Sequence, residues 1–293
     1  MVMTSKQLKD WIKAEAKRTG TSPAIIQRDF ILGKLLEKIS ESSYKENLVI
    51  KGGYVLQSVL GITNRTTEDL DTTIINRANS IETMYDFLEK VFKNPTPEGI
   101  EFKDFKIDNT REVANYPGFR IRGFAYIEKM RVPFRMDITA GDAIIPSPVR
   151  FKHQLMFEDK IINVLAYPLE QILAEKLQTV LSRGTSNSRG KDFYDLYALP
   201  QKFRINYHDL IRSFNATNEV RHTKFTQPQI HQILTQIRVD PELNAMWNRY
   251  RSMPENQYAR DINFDQIVNS IEKLSHSEQK MIGNAHSVTK KKR

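Results

Sequence analysis

Two aspartates, Asp69 and Asp71, stand in the stretch TTEDLDTTII, which reads as a β-strand. Successive strand side chains point to opposite faces, so Asp69 and Asp71 share one face while Leu70 and Thr72 take the other. Paired carboxylates at a strand edge suit a hard divalent cation such as Mg2+ or Mn2+, which takes oxygen ligands and keeps positions open for phosphates. Two such ions can clamp the attacking and leaving oxygens of an in-line phosphoryl displacement. Upstream, NLVIKGGYVLQSVLG reads as a short apolar strand that runs into Gly52 and Gly53 and then into a helix. A glycine pair at such a junction lets backbone amides approach a triphosphate at the positive end of the helix dipole. The plainer account of the same residues is a turn glycine pair beside solvated acids.

A two-metal site calls for a further carboxylate, and Asp137 is the candidate. Phe134, Met136 and Ile138 share one strand face, which leaves Arg135, Asp137 and Thr139 on the other. The competing account is an edge-strand acid paired with Arg135 or Arg122. Asp108 and Asp142 are weaker rivals, read as lying among turn residues. Lys176 falls inside the apolar stripe Leu169, Ile172, Leu173, Leu177 and Val180, where an unpaired ammonium is costly. Either it snorkels to the edge or it meets an anion such as a triphosphate. On both accounts replacement by methionine is expected to leave stability equal or higher. Asp192, in RGKDFYDLYAL, shares a helical face with Asp195, Leu196 and Leu199. It either satisfies the helix dipole in the first turn or orients Lys176, Arg189 or an attacking hydroxyl. Arg120, Arg122, Arg131 and Arg135 are expected to help hold a polyanion.

These residues need elements to carry them. The stretch TSPAIIQRDFILGKLLEKI, which from Thr21 offers a capping hydroxyl and a proline in the first turn and has apolar residues at helical spacing, reads as an amphipathic helix, and a shorter helix ending at Gly20 precedes it. Residues 80–93 are helical by period. Residues 118–139 read as two strands joined by a tight turn near Glu128 to Met130. After the prolines at 146 and 148 strand content is expected to drop, and from Pro168 onward the pattern is helical: 168–182, 191–199, 205–214, 226–250 in pieces, and 263–275. A mixed first half and a helical second half indicate an α+β domain over 1–160 and a helical C-terminal domain over 161–293 that carries Lys176 and Asp192.

The composition of the 293 residues, 40% hydrophobic and 27% charged, is that of a globular protein rather than a disordered one. With no cysteine there is neither a disulfide framework nor a thiolate site. No apolar run is long enough to span a membrane, and the opening MVMTSKQLKDWIKAEAKR lacks the centre of a signal peptide, so a cytoplasmic protein is expected. The net charge of +9 favours encounter with nucleic acid or nucleotide. The terminal Lys290, Lys291, Lys292 and Arg293 are expected to form a frayed, solvated tail.

The stretch KGGYVLQSVLGITNRTTEDLD, together with AEKLQTVLSRG, RGKDFYDLYAL and QRDFILGKLLEKI, resembles the motifs of the AbiEii toxin family of nucleotidyltransferases. The resemblance implies a polymerase-β-like nucleotidyltransferase domain with a mixed sheet followed by helices. It also implies a toxin of a bacterial type IV toxin–antitoxin system acting in abortive infection as a phage defence. Such toxins are similar to enzymes that transfer nucleotides to tRNA ends. The implied reaction moves a nucleoside monophosphate from an NTP to an RNA acceptor such as a tRNA 3' end, with Mg2+ or Mn2+, and the cognate antitoxin acts without direct binding. The alternatives are a nucleotide- or RNA-binding module without turnover, and transfer to a protein hydroxyl. Carried onto this chain, the expected catalytic set is Asp69, Asp71, Lys176 and Asp192. The nucleotide set is Gly52, Gly53, Arg65, Thr67, Lys176 and Arg189, and the metal set is Asp69, Asp71 and Asp137. Tyr54 and Thr67 stand where smaller residues or serine are usual, which bears on the shape of the pocket rather than on the class.

Overall fold

The computed structural model describes residues 2–110 and 118–275; the basic tail lies outside them. The chain divides into two compact units, one made of the residues up to Asp142 with Ser147–Tyr167, the other of Ala143–Pro146 and the chain from Pro168 onward. The first unit opens with helices α1 (Ser5–Thr19) and α2 (Pro23–Ser40). It continues with β1 (Leu48–Lys51), α3 (Gly52–Leu60), β2 (Leu70–Ile74), α4 (Ile81–Phe92), β3 (Glu101–Thr110), β4 (Gly118–Ile127), β5 (Met130–Thr139), β6 (Val149–Gln154) and β7 (Ile161–Ala166). Its strands form one mixed sheet in the order β3-β4-β5-β2-β1-β7-β6. The β1/β7 and β2/β5 pairs are parallel and the others antiparallel.

One sheet face is apolar because the strands alternate. Leu70, Ile121, Met136 and Ile138 are each at most 1% exposed. On β3 and β5 that face presents Phe102 and Phe134, and Phe92 of α4 packs on Phe102 with tilted rings whose centroids are 5.3 Å apart. Each such buried side chain contributes about 1.5–3 kcal/mol, so alternation here outweighs the weak intrinsic strand propensity of any single residue. Asp69, Asp71 and Asp137 are consequently left on the opposite face.

Helix α2 departs from the expected amphipathic helix, for residues 30–37 are all buried. It packs on α1, α4, β5 and β7, so it has no solvent side along this stretch, and its charged residues are enclosed with the rest. Lys34, 1% exposed, meets Glu37 at 2.9 Å, Glu98 at 2.9 Å and Glu158. Lys160 bonds Glu37 as well, and Glu41 at 2.8 Å. Burial works against the Lys34 charge, but the three carboxylates outweigh it and raise its pKa. The helix is preceded by Ser22, whose hydroxyl makes no side-chain capping bond, against the expected cap; Pro23 in the first turn sets the start instead.

Two further expectations give way. Strand content does not drop after Pro148: β6 and β7 follow, pairing antiparallel with each other, and β7 lies parallel to β1. A division at residue 160 would sever β7 from that sheet, so the boundary falls after Tyr167. Asp108 lies inside β3 and not in a turn, opposite Arg120; a register shift between Lys103 and Lys106 breaks the alternation there.

The second unit contains α5 (Leu169–Arg183), α6 (Gly190–Lys202), α7 (Tyr207–Val220), α8 (Gln227–Val239), α9 (Pro241–Ser252) and α10 (Phe264–Ser275). Its core joins Leu173, Leu177, Phe193, Leu196, Trp247 and Ile271, all at most 3% exposed. Helices α6 and α9 approach so closely at Gly190 that an added Cβ would lie 2.6 Å from the Tyr250 ring.

Candidate active site

Strand register assembles the first unit's polar face row by row. Lys51 of β1 lies opposite Asp71 of β2, Asp71 opposite Asp137 of β5, Asp137 opposite Arg120 of β4, and Arg120 opposite Asp108 of β3. The neighbouring row runs Arg135, Arg122 and Lys106, and Asp69, just ahead of β2, reaches Arg135 with its carboxylate. Carboxylate oxygens of Asp69, Asp71 and Asp137 all lie within 4.8 Å of one another. Three half-buried carboxylates that close would repel unless positive charge stands between or beside them.

The glycine pair fits against these acids. Gly52 opens α3 at φ +63°, and a Cβ there would lie 2.7 Å from Asp71 Oδ2. Any other L-residue would be strained and would also strike the carboxylate. A Cβ on Gly53 would come within 2.5 Å of Thr67 Oγ1 and 3.5 Å of Arg65 Nη2. Both Arg65 and Thr67 are buried, at 3% and 6% exposure, and Arg65 Nη1 donates to the Thr66 carbonyl. The Thr67 hydroxyl reaches Asp69 Oδ1 at 3.3 Å. Its backbone N–H donates to Gln57 Oε1 at 2.7 Å, while Gln57 Nε2 donates to Asp29 Oδ1 at 2.5 Å. A chain of hydrogen bonds thus runs from α2 through α3 to the loop that carries Asp69.

Asp137 pairs with neither of the arginines expected for it. Its partner is Arg120, which donates from Nε at 2.8 Å and Nη2 at 2.7 Å in a fork, while Arg135 Nη2 bonds Asp69 Oδ2 at 2.5 Å and Arg122 bonds Asp108. Nor is β5 an edge strand, since β4 and β2 flank it. The pairing and the convergence with Asp69 and Asp71 therefore coexist. The fourth hairpin arginine, Arg131, lies over the Phe124 ring, 3.4 Å from its centroid.

Beside the acids lies a second polar group, of which the sequence suggested only Asp142. Asp142 Oδ2 accepts from Lys51 Nζ at 2.6 Å, Thr73 at 2.6 Å, Thr139 at 3.0 Å and Tyr167 at 3.0 Å. Burial pushes this carboxyl up, but the Lys51 ammonium and the hydroxyls overcome it and hold it at about 2. Lys51 stands just before the glycine pair, but its partners Thr139 and Asp142 come from other segments of the chain, so no local signal marked it.

In the helical unit Lys176 neither snorkels nor stands bare. Its side chain is 12% exposed and its ammonium bonds Asp192 Oδ1 at 2.6 Å and Asp195 Oδ2 at 2.9 Å, while Arg189 Nε lies 3.3 Å from Asp192 Oδ2. The anion foreseen for Lys176 is supplied by α6 itself. Asp192 does stand in the first turn of α6 and there contacts both Lys176 and Arg189. The side chain of Asp195, 0% exposed, was noted only as sharing the Asp192 face. Enclosing these two acids around Lys176 argues against the expectation that a methionine there would be neutral for stability: it would take a shared ammonium away from two buried carboxylates.

The mixed sheet with helices packed on it matches the fold of nucleotidyltransferase-like proteins, and in it a glycine pair opening a helix lies beside the converging acids. The chain belongs to the family described as Nucleotidyl transferase AbiEii toxin, Type IV TA system, which matches residues 34–270. Its structure is similar to JHP933 from Helicobacter pylori at 16% identity and TM-score 0.51, over 93% of this chain and 100% of that one. A second H. pylori structure, with a provisional nucleotidyltransferase description, gives 16% identity and TM-score 0.50 over 89% and 98%. At such identity the likeness is one of fold. A search of curated proteins gives no match.

Proposed function

We propose that this chain is a toxin that transfers a nucleoside monophosphate from an NTP to an RNA acceptor, a tRNA 3' end, in a reaction that depends on a divalent metal. The observation that carries the reading is the convergence of Asp69, Asp71 and Asp137 within 4.8 Å beside Gly52 and Gly53. This donor set fits Mg2+ or Mn2+, being all oxygen and all carboxylate, and the absent Cβ of Gly52 leaves Asp71 room. Asp69, Asp71 and Asp137 would hold the ion, which when bound supplies charge neutralisation at the phosphates. The chain's own residues do the rest. Gly52 and Gly53 leave the α3 amides open to the triphosphate, Thr67 steadies Asp69, and Arg65 lends positive charge beside Gly53. The helical unit brings its own candidates, Lys176 and Arg189 for phosphate charge and Asp192 as their orienting acid or as a catalytic carboxylate.

Among the described residues no helix is long and apolar enough to cross a membrane, and we place the protein in the cytoplasm with an antitoxin that opposes it without touching it. Incubating purified protein and Mg2+ with each labelled NTP and total RNA tests the reading. Label should enter RNA, and should not do so with Asp69→Ala or Asp71→Ala, which should remain folded and lose toxicity. Label in protein would transfer the assignment to a hydroxyl acceptor. Binding of RNA or nucleotide with no incorporation would leave a module without turnover.

A further inference from the structure

Two of the three converging carboxylates already carry a guanidinium. Arg120 grips Asp137 with Nε and Nη2, and Arg135 holds Asp69 with Nη2 alone. The two seats differ in quality. Both teeth of the Arg120 fork are engaged, whereas the Nε of Arg135 is buried and finds no hydrogen-bond partner among the described residues. A guanidinium presents parallel N–H groups matched to two oxygens of one carboxylate or phosphate, so Arg135 is seated on an acid that uses half of it. A buried N–H left unpaired is costly.

Arg135 and Arg120 also stand where a cation must compete with them. They bond the oxygens of the same acids that would ligate a divalent ion, and like charges at contact distance repel. Both side chains are over a third exposed, at 37% and 38%, so solvent screens their ion pairs, and the singly bonded Arg135 seat is the weaker of the two. Arg122 provides the contrast: it lies opposite Arg135 in the same register row, but its acid is Asp108, outside the converging set.

We propose that Arg135 and Arg120 are phosphate-receiving residues released by metal. When a divalent cation takes Asp69 and Asp137, the guanidiniums leave those acids and turn to the phosphates of the nucleotide or of the acceptor strand, Arg135 gaining a partner for Nε as it does so. Metal and polyanion then bind with positive coupling, through the chain's own arginines as well as through direct contact between ion and phosphate. The inference rests on the cation site proposed above, and the experiment separates the two.

The probe is Mn2+ alone, followed by inorganic tripolyphosphate, on the wild-type chain. Arginine-selective labelling with phenylglyoxal, read by mass spectrometry, should speed up several-fold at Arg120 and Arg135 on adding Mn2+, and not at Arg122. Tripolyphosphate added afterwards should protect the same two. In Mn2+ titrations Arg135→Met and Arg120→Met should bind the ion up to about fivefold more tightly than wild type, the worth of one exposed ion pair, with Arg122→Met measuring the general effect of lost charge. If Mn2+ binds, and Asp71→Asn abolishes that binding, yet labelling is unchanged and Arg135→Met and Arg120→Met match Arg122→Met, the exchange is wrong and the cation site stands. If Mn2+ does not bind, or binds as well to Asp69→Asn and Asp71→Asn chains, the site is wrong and the exchange falls with it.

Discussion

Lys176 is the residue at which packing and chemistry meet most directly. Its ammonium is enclosed by Asp192 and Asp195, with Arg189 at the rim, two cations against two acids. Removing one partner of a buried pair strands the charge it compensated and costs about 3–5 kcal/mol, whereas replacing the whole set by neutral groups is far gentler. Lys176→Met should therefore lower the unfolding free energy by about 3 kcal/mol in urea titrations, and adding Asp192→Asn with Asp195→Asn should restore most of it. A single variant as stable as wild type would show the pair to be solvated. The carboxylates of Asp69 and Asp71 lie at the opposite extreme: their removal relieves repulsion, and stability without metal should hardly change.

Elements show where a linear reading succeeds and where it stops. Strands β4 and β5 and the turn at Glu128 were legible because apolar residues alternate without interruption, and the same alternation put Asp69, Asp71 and Asp137 on one face. Strand β3 was missed at its register shift, and β6 and β7 because β6 is an exposed edge, its sequence VRFKHQ mostly polar. Pairing between elements left no local trace, which is why Gln57, Asp195 and the tie between Asp142 and Lys51 had no signal. The junction of α2, α3 and β6 offers a measurable case. His153 of β6 meets Tyr54 at 3.1 Å and Ser58 at 3.2 Å, and burial lowers its pKa from 6.5 to about 4. Burial likewise pushes Asp29 up from 3.8 to about 7, against the bond from Gln57.

These two shifts oppose each other. Between pH 4 and 6.5 the unfolded chain takes up the His153 proton before the folded one does, so that term makes stability rise with pH. Between pH 3.8 and 7 the folded chain keeps the Asp29 proton that the unfolded chain has lost, so that term makes stability fall with pH. The wild-type profile should gain little net slope from the pair. Relative to it, His153→Gln should lose stability as pH rises over the first window, and Asp29→Asn should gain it over the second. Urea midpoints taken at half-unit pH steps decide this; parallel profiles for all three proteins would deny both shifts.

At the scale of the whole molecule the formal charge of +9 and a family match that runs through both units suit a polyanionic substrate. Charge alone speaks to encounter and not to reaction. Its contribution can be counted, since each phosphate contact on a single strand contributes about 0.7 to the slope of log affinity against log salt. Arg122 and Arg131, which hold none of the three converging acids, should together contribute about 1.4 to that slope for an RNA oligonucleotide. A double glutamine variant that leaves the slope intact would move the RNA track off the β4/β5 face.

The ammonium of Lys34 inside three glutamates carries a different lesson, about how near this fold stands to depending on metal for its own integrity. Glu37, Glu98 and Glu158 converge within the same 4.8 Å as the acids of the candidate active site, yet here a lysine side chain supplies the positive charge from within. The chain carries its counter-ion covalently, so that part of the fold owes nothing to the cation supply of the cell. One substitution reverses this. Lys34→Ala should yield a protein whose melting temperature falls sharply in EDTA and recovers with millimolar Ca2+, while the wild type shifts only by what the cation of its candidate active site contributes. The two acid clusters of one domain would then differ in whether the cation at their centre is inherited with the sequence or borrowed from solution.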